Sequence, residues 1–327
     1  MPTSATDAKD AAAIEAATEG VAVCDRSHWG RIRVSDDDRL RFLHNQSTND
    51  FQSLKPGQGC DTVMVSSTAR TIDLVSAYVL EDAVLLLTSP SRREALFQWL
   101  DKYIFFADKV QLKDVTNETS TFSLIGAKSD AIVEKLGAGA IIGKPYGSHQ
   151  QVDGVMVAVG SGLAEPGYTL ILPNSEKAQL WQQILELGAV ELSDRAWDML
   201  RILQGRPAPD AELTDDYNPL EVGLWQTISF NKGCYIGQET IARLNTYKGV
   251  KQYLWGIRLN APVEIGSIIT VGDEKVGKLT SYTETANGHF GLGYIRSKAG
   301  GVGLKVQVGE TEGEVVEIPF VSHEYPQ

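Results

Sequence analysis

The sequence predicts an α+β chain: two related, ferredoxin-like α+β units followed by a C-terminal antiparallel β-barrel. Strand-like and helix-like segments alternate in similar order across residues 30–103 and again across 121–187. From Gln252 onward only short alternating segments remain, parted by Gly-rich turns such as Gly300-Gly301. A chain of 327 residues, 43% hydrophobic and 22% charged, has the length for two or three globular domains.

Taken in order, residues 10–19 read as a short helix and 30–35 as a strand with one wet face. Asp36-Asp37-Asp38 supplies a cap for a helix through Leu43. Strands follow at 62–66, 72–80 and 83–88, the last ending at Pro90. Residues 91–103 form an amphipathic helix with Leu96, Trp99, Leu100 and Tyr103 near one face. The second passage gives strands at 121–125, 155–159 and 168–172 and helices at 130–136 and 176–187. A further helix at 194–204 stops at Gly205-Arg206-Pro207-Ala208-Pro209, and another runs from Gln238 to Leu244. Barrel strands fall at 254–259, 267–271, 281–285 and 291–295. The domain limits implied are 1–115, 116–190, a connecting helical segment at 191–250, and 251–327, with some of 190–250 returning to the first unit.

The formal charge of −12 argues against broad electrostatic binding to nucleic acid or anionic membrane, and no basic run is present. Three cysteines, Cys24, Cys60 and Cys234, are odd in number and far apart, which fits an intracellular, reducing compartment better than a disulfide framework. The first twenty residues carry Asp7, Asp10 and Glu15 and have neither an apolar signal core nor an Arg-rich, acid-poor presequence. No apolar run is long enough to span a bilayer.

The richest stretch is Lys232-Gly233-Cys234-Tyr235-Ile236-Gly237-Gln238-Glu239-Thr240-Ile241-Ala242-Arg243. It sets a thiol just before a helix start, where the helix dipole and the Lys232 ammonium would favour thiolate and make Cys234 nucleophilic or redox-sensitive. The alternative is a small, half-buried core cysteine. Asp73, inside the apolar run Ile72-Asp73-Leu74-Val75, is expensive to bury unless paired or placed at a site, and means nothing at an exposed strand position. Arg201 and Arg206 flank a helix end and could fork around a carboxylate or make surface salt bridges. Glu221 is either a ligand contact or a helix-start charge. Residues 137–144 lack the phosphate-loop spacing, and the five histidines are too scattered for a zinc site, so no metal is expected. One Cys in the central stretch does not hold an iron–sulfur cluster alone.

Three segments, Arg201-Ile202-Leu203-Gln204-Gly205-Arg206-Pro207, Asn218-Pro219-Leu220-Glu221-Val222-Gly223-Leu224 and Lys232-Gly233-Cys234-Tyr235-Ile236-Gly237-Gln238-Glu239 with Arg243, resemble the folate-binding YgfZ family. The last is that family's signature, and the family is related to the aminomethyltransferase (T-protein) of the glycine cleavage system. The resemblance implies an aminomethyltransferase-like ring of three domains around a central channel for tetrahydrofolate or a derivative, and a role in iron–sulfur cluster assembly or repair. It implies as partners a reduced folate and iron–sulfur assembly factors or client enzymes, with neither nucleic acid nor membrane. Beside it, Tyr235 and Trp225 offer flat faces, and Gln238, Glu239, Arg243, Glu221 and Arg201 offer polar groups, for a folate; Cys234 with Lys232 would supply the chemistry.

Two departures from the transferase pattern stand out. Leu203 occupies the position of the pterin-contacting acid, and only Asp73 could match the paired acid near the first domain's second strand. The resemblance therefore implies a folate-binding accessory protein first. A folate-dependent aminomethyl or one-carbon transferase with Asp73 orienting the amine is the alternative, and a non-catalytic scaffold for iron–sulfur proteins is a third. The family occurs in bacteria, mitochondria and plastids, and the expected compartment is chloroplast stroma ahead of mitochondrial matrix or bacterial cytoplasm.

Overall fold

The computed structural model describes residues 5–325. α1 (Ala5–Glu19) leads into β1 (Ala22–Asp25). β2 (Gly30–Ser35), α2 (Arg39–Gln46), β3 (Gln58–Val65), β4 (Thr71–Val79), β5 (Ala83–Thr88), α3 (Arg93–Lys102) and β6 (Gln111–Asp114) make the first unit. β7 (Thr119–Ile125), α4 (Ser129–Lys135), β8 (His149–Val152), β9 (Val155–Val159), β10 (Gly167–Pro173), α5 (Lys177–Glu186) and β11 (Val190–Leu192) make the second. α6 (Asp194–Gln204), α7 (Pro219–Val222) and α8 (Gln238–Thr246) lead to the strands of the third: β12 (Gln252–Leu259), β13 (Ile268–Val271), β14 (Glu274–Thr285), β15 (Gly288–Arg296), β16 (Lys305–Val308) and β17 (Thr311–Val316).

The first sheet has five antiparallel strands in the order β3-β4-β5-β2-β6. The second has six, in the order β11-β1-β7-β10-β9-β8, with β1 and β11 parallel. The third closes as a barrel, β12-β15-β14-β13-β16-β17, which removes its edges. Two α+β sheets and a terminal barrel are thus the architecture that the sequence predicts. The assignment of β1 differs: residues 22–25 lie within the 1–115 span but pair with β7 and β11 of the second sheet. Ala22, Val23 and Cys24 are all buried, and a four-residue apolar run carries no period to announce which sheet it joins.

Two local expectations also change. β2 is half wet on one face, at Arg33 and Ser35, but Arg31 on that face is fully buried, its guanidinium donating to the carbonyls of Ser27, Trp29, Thr116 and Thr119. The Asp38 side chain does not cap α2; its Oδ2 accepts from the Lys109 backbone instead. The end of α6 behaves as read. Gly205 takes φ 81°, and a Cβ there would fall 2.5 Å from Ile318 of the segment after the barrel, so no other residue fits.

Separate cores hold the units. α2 and α3 cover one face of the first sheet through Phe42, Leu43, Leu96 and Leu100 against Ile32, Val75 and Leu86. The sheet's other face meets both neighbours. Near one end Tyr78, Leu85 and Leu87 pack on Met156, Ala158 and Ile171 of the second sheet. Near the other Val63, Val65 and Leu74 pack on Ile202 of α6 and on Leu254, Leu292 and Tyr294 of the barrel. The three units meet on this inner face, which sets where a ligand site can form.

Candidate functional site

Strand alternation places a polar gap between the two apolar contacts. Along β4 the inner face reads Leu74, Ser76, Tyr78, and the paired residues of β3 are Val63, Asp61 and Gly59. Asp61 therefore faces the junction of all three units. Its Oδ1 accepts from Ser76 Oγ at 2.6 Å and from Tyr146 Oη at 2.8 Å, and Oδ2 has no hydrogen-bond partner among the described residues. Burial pushes its carboxyl up from the usual range, against the pull of Ser76, Tyr146 and two arginines, Arg206 and Arg26.

Tyr146 shows what kind of space this is. Its ring is 43% exposed, yet burial and then Asp61 push its hydroxyl well above the ordinary phenol range. Tyr146 and Asp61 thus line a gap, or channel, between the first and second units that solvent reaches at the Tyr146 side chain. Tyr146 packs on Gly160, where a Cβ would fall 2.3 Å from the ring. Gly59 and Gly147 let the first and second units approach backbone to backbone at the same place: a Cβ on Gly147 would fall 2.3 Å from the Gly59 carbonyl oxygen.

Asp73 is buried, as an acid of that cost requires, but it pairs with Met64, so alternation gives it the face of Val75 and Ala77 rather than the channel face. Its carboxylate accepts from Ser89 N at 2.9 Å and Ser89 Oγ at 2.7 Å. Burial, opposed by those bonds, pushes its pKa up to about 6. The channel-facing neighbour is Leu74, which has no proton to offer.

The Lys232-to-Arg243 segment lies along the β3 edge. Lys232 Nζ donates to the carbonyls of His44 at 2.5 Å, Ser47 at 2.7 Å and Asn49 at 2.6 Å, closing the C-terminal end of α2 with its full set of three protons. Burial pushes its pKa down to about 7, with Asp50 and Cys60 pulling it back up. Its ammonium also sits 4.6 Å from the Tyr235 ring centroid. The ammonium expected to polarise Cys234 is thus spent on backbone carbonyls. The thiol itself lies three residues before the Gly237 N-cap of α8 and is exposed, whereas Cys24 is buried and Cys60 half-buried. Burial drives the Cys24 and Cys60 thiols up to about 12. Gly237, at φ 79°, fits under the β3–β4 turn, where a Cβ would fall 2.9 Å from the Ser66 carbonyl oxygen. Beside Lys232, His44 Nδ1 lies 3.0 Å from Asp50 Oδ1; burial first and Lys232 second lower the imidazole pKa.

The other sequence candidates divide by position. Trp225 and Tyr235 are packed in a core with Ala69, Leu220, Ile241 and Val250, so their faces serve packing. Glu221 closes a capping box: Asn218 Oδ1 accepts from the Leu220 and Glu221 amides while Glu221 Oε2 accepts from Asn218 N and Nδ2. Arg201 is held by Asp198 Oδ1 at 2.7 Å and by the fully buried Glu212 at 2.9 Å, and Glu212 also accepts from Thr280 and Ser281 of the barrel. Arg201 therefore ties α6 to the barrel. Gln238 is half-buried, and Glu239 and Arg243 are exposed on α8. Asp61, Tyr146 and His44 are the residues that sequence reading missed. Asp61 carried the signal used for Asp73, an acid beside an apolar run, but fell outside the strand expected at 62–66.

Among the described residues no group of three or more His, Cys, Asp or Glu could hold a metal ion, and no helix is long and apolar enough to cross a membrane.

Comparison with known proteins places this architecture. Residues 3–232 match the family model described as the GCVT N-terminal domain. A chloroplastic "putative transferase" of Arabidopsis thaliana is 51% identical over 324 residues, covering 97% of this chain and 75% of that protein. The aminomethyltransferase of Bacillus mycoides is 28% identical, covering 94% of this chain and 88% of its own length. The crystal structure of the glycine cleavage system aminomethyltransferase T from Bartonella henselae superposes with a TM-score of 0.85 at 19% identity, over 97% of this chain and 91% of that one, which shows a shared fold. This chain belongs to the family of the GCVT N-terminal domain.

Proposed function

We propose that this chain binds a reduced folate in the channel beside Asp61 and Tyr146 and serves, as a folate-dependent accessory protein of a plastid stroma, in the assembly or repair of iron–sulfur clusters. The observation that carries the reading is the presentation of Cys234: a turn pinned to the end of α2 by three Lys232 hydrogen bonds holds the one exposed thiol of three. The folate part is supported by the aminomethyltransferase relatives, and the plastid part by the chloroplastic one.

The channel groups suit a reduced folate. Asp61 has one carboxylate oxygen unclaimed by the described residues, suited to a single N–H donor of an aminopyrimidine edge, and the Tyr146 ring gives a flat wall. When bound, the folate would supply a one-carbon carrier; this chain's residues bind and orient it, and Cys234 remains free for a thiol-dependent partner. Client enzymes and assembly factors would dock on the Cys234 side.

Anaerobic titration with tetrahydrofolate tests the binding step. Wild type should saturate, and Asp61→Asn should bind about tenfold more weakly, the loss of one charge-assisted pair. Equal affinity in the variant removes Asp61 from the site. For the cluster role, cells depleted of the chain should recover iron–sulfur enzyme activity with wild type and not with Cys234→Ala. Recovery with both variants points to the scaffold, whose partner binding ignores folate.

One-carbon transfer is the second reading, favoured by the names of the relatives. Asp73, buried on the other face and bonded to Ser89, is badly placed for it, so Asp61 would have to serve as the acid that orients the amine. Transfer of a labelled aminomethyl carbon to tetrahydrofolate, absent in Asp61→Asn, would establish it.

A further inference from the structure

The turn that carries Cys234 is fastened to the end of α2 on both sides of the thiol. Before it, Lys232 Nζ donates to the His44 carbonyl; after it, the Ile236 amide donates to the Asn45 carbonyl at 3.0 Å. Two neighbouring carbonyls of α2 thus anchor the chain just ahead of Cys234 and just past it. Gly233 shows how closely the turn approaches the His44 ring: apart from its chain neighbours, the atom within 4 Å of a Cβ built there is His44 Nε2, at 3.9 Å. Consecutive Cα atoms are about 3.8 Å apart, so the imidazole faces the residue next to the thiol.

His44 is set up to receive a proton. It is 6% exposed, its Nδ1 stands 3.0 Å from Asp50 Oδ1, and its Nε2 makes no hydrogen bond with any described residue. A carboxylate at Nδ1 favours the tautomer protonated there, which leaves the lone pair of Nε2 facing the turn. The charged groups that act on the ring are Lys232 of the turn and Asp50 of the loop after α2, and Cys60 of β3 acts on Lys232 in its turn. Burial first and Lys232 second lower the imidazole pKa and keep the ring neutral at pH 7, the state that takes a proton. Carboxylate, imidazole and thiol in this order are the parts from which an activated cysteine is built, and the imidazole supplies what Lys232, saturated by carbonyls, does not.

We propose that His44, oriented by Asp50, is the proton acceptor that makes Cys234 a nucleophile toward the S–S bond of a small disulfide. The thiol proton passes from Sγ to His44 Nε2. The sulfur attacks one sulfur of the disulfide, a new S–S bond forms as the old one breaks, and the leaving thiolate takes the proton from Nε2. One thiol and one disulfide give one mixed disulfide and one thiol, with no other reactant. The inference rests on the reading of Cys234 as a working thiol and deepens it; folate plays no part, so a failed folate titration leaves it standing.

Stopped-flow mixing of the full chain with dithiobis(nitrobenzoate), whose leaving thiolate is coloured, tests it, with the modified cysteine identified by mass. A proton that only moves from sulfur to nitrogen leaves the total unchanged, so the wild-type rate should stay within about threefold between about pH 6.5 and 8. In His44→Gln, which keeps a polar side chain but accepts no proton, the rate at pH 7 should drop about tenfold or more, climb steeply with pH, and rejoin wild type near about pH 9, where an ordinary thiol ionises unaided. A loosened turn would not mend itself at high pH, so the convergence separates a proton acceptor from a structural side chain. Gly233→Leu reaches the same point without touching His44: Gly233 has no left-handed φ, its Cβ has room, and the added side chain would cover Nε2. It should lose the plateau too, and it decides the matter should His44→Gln fail to fold. Lys232, held at about 7, is present in wild type and both variants, so its own titration cancels from the comparison. A wild-type rate that already climbs about tenfold per pH unit through neutrality, or a plateau that survives in either folded variant, would overturn the assignment.

Discussion

Lys232, at 4.6 Å from Tyr235, and Arg26, at 3.7 Å from Trp29, are buried cations resting on aromatic rings, and neither has a carboxylate of the described residues within 4 Å. What separates them is how many of their protons are used. All three Lys232 protons end on carbonyls of the α2 terminus, whereas Arg26 spends Nη1 alone and leaves Nε buried without a partner. Saturation of donors, rather than burial or charge, marks Lys232 as a fastener of the signature turn, whereas Arg26 keeps a donor to spare. The nearby thiols run the other way: Cys234 beside the saturated cation is exposed, and Cys24 beside Arg26 is buried.

The largest effect expected from this contrast is kinetic. At pH 8 thiols held at about 12 are thiolate to about one part in ten thousand, so Cys24 and Cys60 should resist labelling of the native protein. Mass-resolved labelling should therefore modify Cys234 first by orders of magnitude. Modification of Cys60 at a comparable rate would mean that the face of β3 covered by α2 opens more than its half-buried thiol suggests.

Stability tests the fastener next. Lys232→Met leaves three carbonyls without their shared donor and should cost about 3 kcal/mol in chemical denaturation. Arg206→Met removes an unpaired buried charge together with two weaker hydrogen bonds, and should cost about half as much or less. Equal losses would erase the distinction between the two cations.

Much of the fold could be read in the sequence because most long elements carry strong patterns. The strands at 83–88 and 155–159 and the helix at 194–204 match their expected bounds. Missed pieces were short, such as β1 and β11 of the second sheet, whose three or four residues show no period. Of the site, the signature turn, with Cys234 just before a helix start, was legible. The partners were not: Lys232 reaches carbonyls some 185 residues away, and Asp61 meets Tyr146 across 85. Local spacing suggested a Lys232–Cys234 pair because it sees only neighbours in the chain, and it gave Trp225 and Tyr235 to a ligand because a packed aromatic and an exposed one look alike in a string of letters.

Among the acids the same contrast recurs and brings a pH signature. Asp73 accepts two bonds from Ser89 and is still held at about 6 by burial, above an ordinary carboxyl near 3.8. The folded state then binds more protons than the unfolded one between those values. Stability should fall as pH climbs from about 4 to 6, by about 2–3 kcal/mol from this group. Asp73→Asn, compared with wild type across that window by urea titration, should lose the slope. A slope that persists unchanged would transfer the effect to another acid whose pKa is raised, such as Asp61.

The smallest effect distinguishes a saturated acid from an open one. Glu221 and Asp61 are both acids whose pKa burial raises, but Glu221 spends its oxygens on Asn218 and Gln252 whereas Asp61 keeps Oδ2 free. Breaking the capping box with Asn218→Ala should cost about 1 kcal/mol and leave tetrahydrofolate affinity unchanged, because every group involved is already paired within the chain. Asp61→Asn should do the reverse, altering affinity with little change in stability. The two variants side by side separate the acids by function: a fall in folate affinity in Asn218→Ala larger than that in Asp61→Asn would move the ligand from the channel toward α7, and the free carboxylate oxygen of Asp61 would lose its role as the pterin's partner.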